Sequence, residues 1–215
     1  MRTYKSTSLA DQVFDKLEND IIQGVYARGE LLTELKLVEQ LGVSRTPIRE
    51  ALRRLEQERL IRDSGKGSVV LGITREDLED IMNIRQRIEG LASYYATLNA
   101  KPEEVTELRK LTELQDFYYG KQDIEQLRRI DDRFHEMIYE LSGRVVIRDT
   151  LQPLHRKALR YRRKSIEDEG RVIRSIAEHK AICQAIADGD AALAEKLTCE
   201  HITNAKESML RSFDL

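Results

Sequence analysis

The segment that most constrains this chain is residues 42–55, GVSRTPIREALRRL, which has the pattern of a turn followed by a helix. Gly42 suits the end of a preceding helix, because glycine adopts the left-handed backbone of a C-cap at little cost. Ser44 is a favoured N-cap residue, and Pro47 is tolerated in a first helical turn. The segment therefore predicts two helices joined by a tight turn.

The second of these helices has two distinct faces. Hydrophobic residues recur along one face: Ile48, Leu52 and Leu55. Arginines recur every four residues along another: Arg45, Arg49 and Arg53. A helix that is buried on one face and lined with arginine on another fits the major groove of DNA. The pattern therefore indicates a helix-turn-helix that reads a DNA sequence, rather than an enzyme.

The residues on either side extend this unit to a winged helix. The spacing of Val13, Leu17 and Ile21 predicts a helix over about residues 9–22, and a short helix begins at Thr33 or Glu34. Beyond the arginine helix, two β-prone runs at 60–63 and 68–71 flank a glycine-containing turn, which predicts a hairpin. Three helices and a hairpin make a winged helix-turn-helix domain over residues 1–73.

Residues 74–215 carry no strand pattern. Amphipathic helices are predicted over about 75–97, 102–118, 123–142, 144–165, 170–188 and 190–213. Six amphipathic helices with short connections predict an antiparallel all-helical bundle, so the fold class of the chain is mainly α.

Charge and composition set further limits. The net charge is −2, but residues 44–67 hold seven Lys/Arg against four Asp/Glu, so positive charge is local, as DNA binding requires. The first residues lack the apolar core of a signal peptide, and no apolar run approaches the roughly 18 residues of a membrane span. Two cysteines, Cys183 and Cys199, do not make a disulfide framework. We expect a cytoplasmic protein without membrane contacts.

Three of the four histidines, with one aspartate, lie on hydrophobic faces of the predicted helices. Asp131 and His135 are four residues apart on one face, and His179 and His201 lie on two later helices. A buried carboxylate needs a partner, and these groups could bind one metal ion. Satisfied core histidines fit the pattern about equally well. We expect His155 at the surface or at the edge of the core, although it could also be a further histidine near the site.

Arg85 is a second charged residue on a hydrophobic face, with Glu89 one helical turn later. The two could form an intrahelical ion pair, or Arg85 could hold a carboxylate ligand inside the bundle. The basic run Arg160 to Lys164 is typical of a solvated face, although one of its arginines could line a pocket. Cys183, one turn after His179, is expected to be a small core residue.

Several segments closely resemble the GntR family of bacterial transcription regulators: residues 9–13, residues 39–52 and Gly65–Gly67. Residues 84–89, 131–135, 178–179 and 201–202 resemble the FCD ligand-binding domain of its FadR subfamily. This resemblance implies a homodimer that binds double-stranded operator DNA. It implies DNA contacts in the major groove from Ser44, Arg45, Thr46 and Arg49, and in the minor groove from Lys66 and Gly67. Many relatives have an arginine where this chain has Leu35, and Lys36 is a candidate replacement.

The same resemblance implies a metal site made by Asp131, His135, His179 and His201. The divalent cation would be zinc first, with nickel or manganese as alternatives. The metal and Arg85 would together hold a small carboxylate effector, such as a sugar acid or a hydroxy acid. The sequence thus predicts a repressor controlled by this effector. Two alternatives stay open: a regulator for which the metal itself is the signal, and a metal-dependent enzyme acting on small acids.

Overall fold

The computed structural model describes residues 8–167 and 169–213, with side chains through 158 and from 170 to 211. The side chains of the basic run Arg160 to Lys164 lie outside this part. The chain divides into two compact units, Met1–Thr74 and Arg75–Leu215. None of the described helices is long and apolar enough to cross a membrane.

The first unit has the predicted winged-helix architecture. Its elements are α1 Leu9–Ile22, β1 Leu31–Leu32, α2 Glu34–Leu41, α3 Arg45–Gln57, β2 Ile61–Asp63 and β3 Ser68–Val70. The strands form an antiparallel sheet in the order β1-β3-β2. Strand β1 was not predicted, because two residues are too few to show an alternating pattern. The core packs the inward side of α3 against the other helices and the sheet, through residues including Phe14, Leu17, Leu37, Ile48 and Leu55.

The turn before α3 follows from Gly42 and Ser44. Gly42 has φ 65° and ψ 24°, and its N–H donates to the carbonyl oxygen of Val38, which ends α2. Ser44 occupies the N-cap position of α3 with an extended backbone, but its hydroxyl makes no capping hydrogen bond. The side chain of Ser44 is therefore exposed without the expected local role.

The wing is a tight turn that depends on Gly67. The backbone N–H and the hydroxyl of Ser64 both donate to the carbonyl oxygen of Gly67, at 2.9 and 2.7 Å. Gly67 has φ 146°, and a Cβ there would lie 2.7 Å from the carbonyl oxygen of Leu32. Only glycine fits this position without a backbone shift. Lys66 is left exposed at the tip of the wing.

The second unit is all helical in its described part. Its helices are α4 Arg75–Asn99, α5 Pro102–Gly120, α6 Ile124–Leu141, α7 Val145–Glu167, α8 Glu169–Ala187 and α9 Ala191–Phe213. Helices α4 and α9 pack antiparallel, since Gln86 hydrogen-bonds Thr203 and Ser93 hydrogen-bonds Thr198. Between these contacts, a Cβ on Gly90 would lie 2.6 Å from Sγ of Cys199, so glycine permits the close approach. The predicted bundle and mainly α fold class are confirmed.

Candidate functional site

The first turns of α3 present polar side chains to solvent. Four residues expected to contact DNA are exposed there: Ser44, Arg45, Thr46 and Arg49. Arg54, further along the helix, instead donates to Asp11 at 2.7 Å and lies over the ring of Phe14. Arg54 thus fastens α3 to α1, whereas the other three arginines of α3 are exposed: Arg45, Arg49 and Arg53. An exposed helix N-terminus with two arginines also suits phosphate oxygens.

Arg49 is held by an acidic residue of the preceding helix. Its Nε donates to Oε1 of Glu34 at 2.7 Å, and this hydrogen bond lowers the pKa of Glu34. The bond orients the guanidinium while its two terminal amino groups stay outside it. On α2, the helix of Glu34, Leu35 is 58% exposed, and Lys36 donates to Glu30 at 2.8 Å.

In the second unit, three histidines from α6, α8 and α9 meet in the core. Candidate ligand atoms of His135, His179 and His201 all lie within 4.8 Å of one another. All three side chains are buried. Nε2 of His179 faces Nε2 of His201 at 3.3 Å. These residues can therefore offer three nitrogen ligands to one cation.

Each of these rings is fixed from outside by an oxygen at Nδ1. Glu89 Oε2 lies 3.2 Å from His135, Gln115 Oε1 lies 3.0 Å from His179, and Glu178 Oε2 lies 2.6 Å from His201. These oxygens only accept hydrogen bonds, so Nδ1 of each ring must carry the hydrogen. In a neutral ring Nε2 is then a lone-pair donor, as metal ligation requires.

The protonation state of His201 agrees with this arrangement. Burial lowers its pKa to about 4, although the hydrogen bond to Glu178 acts in the opposite direction. His201 is therefore neutral at pH 7, and no proton on it bridges to His179. Nε2 of His135 is also buried, with no hydrogen-bond partner in the described part of the chain. Candidate ligand nitrogens of the three histidines thus face one another in a space that would suit a cation.

Asp131 lies at the edge of this group rather than within it. Its side chain is buried, and its Oδ1 is 3.7 Å from Nδ1 of His179. It therefore faces the outer nitrogen of that ring and is not part of the compact histidine group. Asp131 does line the same pocket as His135 and His201.

Arg85 and Glu89 form a buried ion pair beside the histidines. Arg85 Nε donates to Glu89 Oε1 at 2.6 Å, and both side chains are 1% exposed. Burial alone would raise the pKa of Glu89, but the charge of Arg85 and the hydrogen bond with His135 hold it well below its usual range. The carboxylate of Glu89 thus joins the arginine to a candidate metal ligand. The intrahelical pair expected as one alternative is present, and Arg85 also lines the pocket.

His155 is a buried part of the same network. The favoured expectation was a residue at the surface or at the edge of the core, and the alternative was a further histidine near the site. Nδ1 of His155 lies 3.3 Å from Nη2 of Arg85, and its Nε2 lies 3.3 Å from Oδ1 of Asp132. Burial lowers the pKa of His155, so the ring is neutral at pH 7. Nδ1 then accepts from Arg85 while Nε2–H donates to Asp132. His155 therefore positions the guanidinium and does not face the other three histidines as a ligand.

The pocket beside these residues has a volume of about 400 Å³, including its open mouth. One side is polar and contains a second buried arginine, Arg171, together with Ser175. Arg171 Nη1 donates to Glu178 Oε2 at 2.9 Å. The other side is apolar: Val172, Ile202, Ala205 and Met209. A pocket with guanidinium groups on one side and apolar side chains on the other suits a small carboxylic acid.

The sequence did not identify Gln115 or Arg171 as parts of the site, and it did not assign a role to Glu178. Gln115 follows Leu108 and Thr112 on the buried face of α5, so its polarity on that face was a usable indication. Arg171 lies near the uncertain start of a predicted helix, where its face could not be assigned. Cys183 is a buried core residue, as expected.

The chain matches two family models that together span most of its length. Residues 9–70 match the bacterial regulatory proteins of the gntR family, and residues 80–204 match the FCD domain. The uncharacterized HTH-type transcriptional regulator YdhC of Bacillus subtilis is 28% identical over 213 residues, which covers 94% of this chain and 95% of the relative. The gluconate operon transcriptional repressor of Bacillus licheniformis is 34% identical over 123 residues, which covers 57% and 51%, respectively.

The fold is also similar to that of a solved structure, Escherichia coli McbR/YncC. The TM-score is 0.79 at 24% sequence identity, and the match covers 96% of this chain and 99% of the other.

A substitution at Glu89 tests how much the buried ion pair with Arg85 stabilises the protein. Replacing Glu89 with Gln leaves the buried Arg85 without a counter-charge, so we expect the free energy of unfolding to fall by about 3–5 kcal/mol. The exposed i,i+4 pair of Glu125 and Arg129, each side chain 66% exposed, is the control. There Glu125→Gln should change stability by at most about 0.5 kcal/mol. Urea unfolding of the metal-free protein measures both, and equal losses would contradict a supporting role for Glu89.

Proposed function

We propose that this chain, which belongs to the gntR family of bacterial regulatory proteins and carries an FCD domain, is a repressor that releases its operator when a small carboxylate binds beside a metal ion. The family and the relatives are transcriptional regulators, so the chain is a DNA-binding regulator and not an enzyme. The metal-dependent enzyme considered as an alternative is thereby excluded. Repression is supported by the names of relatives that are gluconate operon repressors.

DNA reading is assigned to the exposed N-terminus of α3 and to the wing. Arg45 and Arg49 would reach base edges or phosphates in the major groove, with Ser44 and Thr46 beside them. Lys66 and Gly67, at the tip of the wing, would enter the minor groove. A dimer would place two such units on a palindromic operator, with half-sites about 34–36 Å apart or a multiple of that distance.

Substitution of the α3 arginines tests this assignment. Operator DNA would first be selected by the protein from a randomised pool of duplexes. Arg45→Ala and Arg49→Ala should each weaken binding by about 1–3 kcal/mol, roughly 5- to 150-fold, because each removes a charged contact. Arg59 is exposed beyond the other end of α3, so Arg59→Gln should leave affinity within about two-fold. Fluorescence anisotropy at fixed salt measures all three, and equal losses at Arg49 and Arg59 would contradict the assignment.

We infer the metal-dependent input from one observation: three histidine rings converge, and the Nδ1 atom of each lies within hydrogen-bond distance of an oxygen. Zinc binds imidazole nitrogen at about 2.0–2.1 Å, so two ligands of one tetrahedral ion lie about 3.3 Å apart. The 3.3 Å between His179 and His201 agrees with such a shared ion. Asp131 lines the same pocket and would supply an oxygen ligand.

Metal binding can be measured directly on purified protein. We expect about one Co²⁺ per chain by calorimetry, with visible absorption that reports nitrogen and oxygen ligands. His135→Ala should abolish tight binding, and Gln115→Leu should weaken it about 10- to 100-fold, because Gln115 only orients His179. His155→Gln is the matched control, since His155 is a buried histidine outside the converging group. Unchanged binding by His135→Ala would overturn the site.

The effector class follows from the charges in and beside the pocket. Arg85 and Arg171 oppose Asp131, Glu89 and Glu178, which leaves a net charge of −1 without a metal and +1 with a divalent cation. An anion is therefore attracted once the metal is bound, and a carboxylate could bridge the ion and Arg85. A hydroxy acid or sugar acid would add hydroxyl groups that Ser175 and Arg171 can bind.

D-Gluconate is the first probe, because relatives are named for a gluconate operon. With metal-loaded protein, we expect it to lower operator affinity, with L-lactate and citrate as comparison acids. Arg85→Lys keeps the charge but loses the planar fork, so it should raise the half-maximal acid concentration at least about ten-fold. Arg174→Lys, at an exposed position on α8, should not. If metal alone controlled binding and no acid altered it, the metal-responsive alternative would replace this proposal.

A further inference from the structure

An ion pair between α2 and α3 fastens one of the arginines assigned to DNA. Glu34 is the first residue of α2, and its carboxylate accepts from Nε of Arg49 at 2.7 Å. The two residues are 15 positions apart in the chain, on either side of the turn at Gly42. Leu37 and Ile48, on the same two helices, are fully buried. The pair therefore joins helices that the core already holds in a fixed relation.

The bond to Glu34 leaves the outer end of the Arg49 guanidinium open. A guanidinium has one N–H at Nε and two at each Nη. Glu34 accepts the single hydrogen at Nε, and no hydrogen bond joins Nη1 or Nη2 of Arg49 to another residue in the described part of the chain. The Arg49 side chain is 63% exposed. Its two Nη atoms can therefore present parallel N–H groups to a partner outside the protein.

Two other exposed arginines of α3 are not held in this way. Arg45 and Arg53 make no hydrogen bond with any residue that the structure describes. A free arginine side chain loses rotamer freedom when it binds a partner, whereas one that is already held has lost much of it. Phosphate contacts carry no sequence information, but a bidentate contact to a base edge requires a fixed orientation. Arg49 is therefore the α3 arginine best prepared to bind a base.

The negative charge of Glu34 lowers the affinity of this surface for DNA in general. The Glu34 side chain is 35% exposed, and the hydrogen bond from Arg49 lowers its pKa, so the carboxylate is ionised at pH 7. A charge of this sign repels phosphates and cancels part of the attraction that Arg49 has for them. Such a charge serves recognition when it weakens wrong contacts more than the right one. Glu34 therefore favours discrimination between sequences over nonspecific affinity.

We propose that Glu34 is a positioning residue for DNA reading, and that it turns Nη1 and Nη2 of Arg49 toward the O6 and N7 atoms of a guanine in each operator half-site. Guanine presents two acceptors on its major-groove edge, and a bidentate arginine is its most common specific partner. The inference rests on the major-groove role of Arg49 in the proposed function. It adds the base that Arg49 reads and the residue that makes this reading selective.

A modified base identifies the guanine. The full chain selects operator duplexes from a randomised pool, and each guanine of a half-site is then replaced in turn by 7-deazaguanine, which keeps Watson–Crick pairing but lacks the N7 acceptor. One such replacement should weaken wild-type binding about 5- to 10-fold, because half of a bidentate contact is lost. It should weaken binding by Arg49→Ala less than about two-fold, because that contact is already absent. If no guanine shows this dependence on Arg49, the proposal is overturned.

Two substitutions at Glu34 separate positioning from charge. Discrimination is the dissociation constant with adenine in place of this guanine, divided by that for the operator. Glu34→Ala removes the acceptor and the charge, and should lower this ratio at least about three-fold, since a bidentate pair supplies roughly 5- to 150-fold in all. Glu34→Gln removes the same charge but keeps an oxygen acceptor for Nε of Arg49, so it should lower the ratio less than about two-fold.

Glu50→Ala on α3 is the matched control. Glu50 is an exposed carboxylate next to Arg49, and it is bonded to no side chain among the described residues. Loss of its charge should act on both duplexes alike, so the ratio should stay within about two-fold of wild type. A merely structural defect would weaken binding to every duplex, whereas Glu34→Ala should bind an unrelated duplex at least as tightly as wild type does.

Fluorescence anisotropy at fixed salt gives these constants, and circular dichroism shows that each variant is folded. Unchanged discrimination by folded Glu34→Ala overturns the proposal. Equal losses in Glu34→Ala and Glu34→Gln would show an effect of charge alone, and equal losses in Glu34→Ala and Glu50→Ala would show no special role for Glu34; either result also overturns it. A wild-type chain that selects no sequence would instead refute the proposed function, and the inference would fall with it.

Discussion

The second unit depends on a buried polar network in which each charged or ring group is satisfied by another. A helical core that holds an ion pair and four histidines is costly unless hydrogen bonds replace the lost water. Glu89 provides two of these hydrogen bonds, since one carboxylate oxygen accepts from Arg85 and the other from His135. His155 holds the far side of the guanidinium. This arrangement leaves ring nitrogens of three histidines facing one another, a set that would suit a cation.

Helix α4 joins this buried network to the rest of the second unit. It carries Arg85 and Glu89 on its inner face and Gly90 against α9. A carboxylate drawn to Arg85 would compete with Glu89, and any resulting shift of α4 would act on α9, which packs closely against it. The effector could change operator affinity only to the extent that it binds one arrangement of α4 more tightly than another.

Much of the fold could be predicted because its elements have strong periodic patterns or obligatory turn residues. Gly42, the arginine helix and the six amphipathic helices gave boundaries that the structure reproduces to within about two residues. Strand β1 was missed because Leu31–Leu32 exists only by pairing with β3, a contact distant in sequence. The histidines were found as polar residues on apolar faces, but their supporting oxygens lie on other helices. Gln115 is 64 residues from His179, so local spacing could not pair them.

His155 shows why the residues of such a site cannot all be assigned from the sequence. Its position after Leu151 is equally consistent with the edge of a core, and only tertiary packing brings Arg85, 70 residues earlier, to its Nδ1. Once neutral, that ring can accept from a guanidinium but cannot also turn Nδ1 to a metal. The division between three converging histidines and one positioning histidine therefore follows from which nitrogen each ring must protonate. The acceptors on neighbouring helices, rather than the histidines themselves, decide which rings can bind a cation.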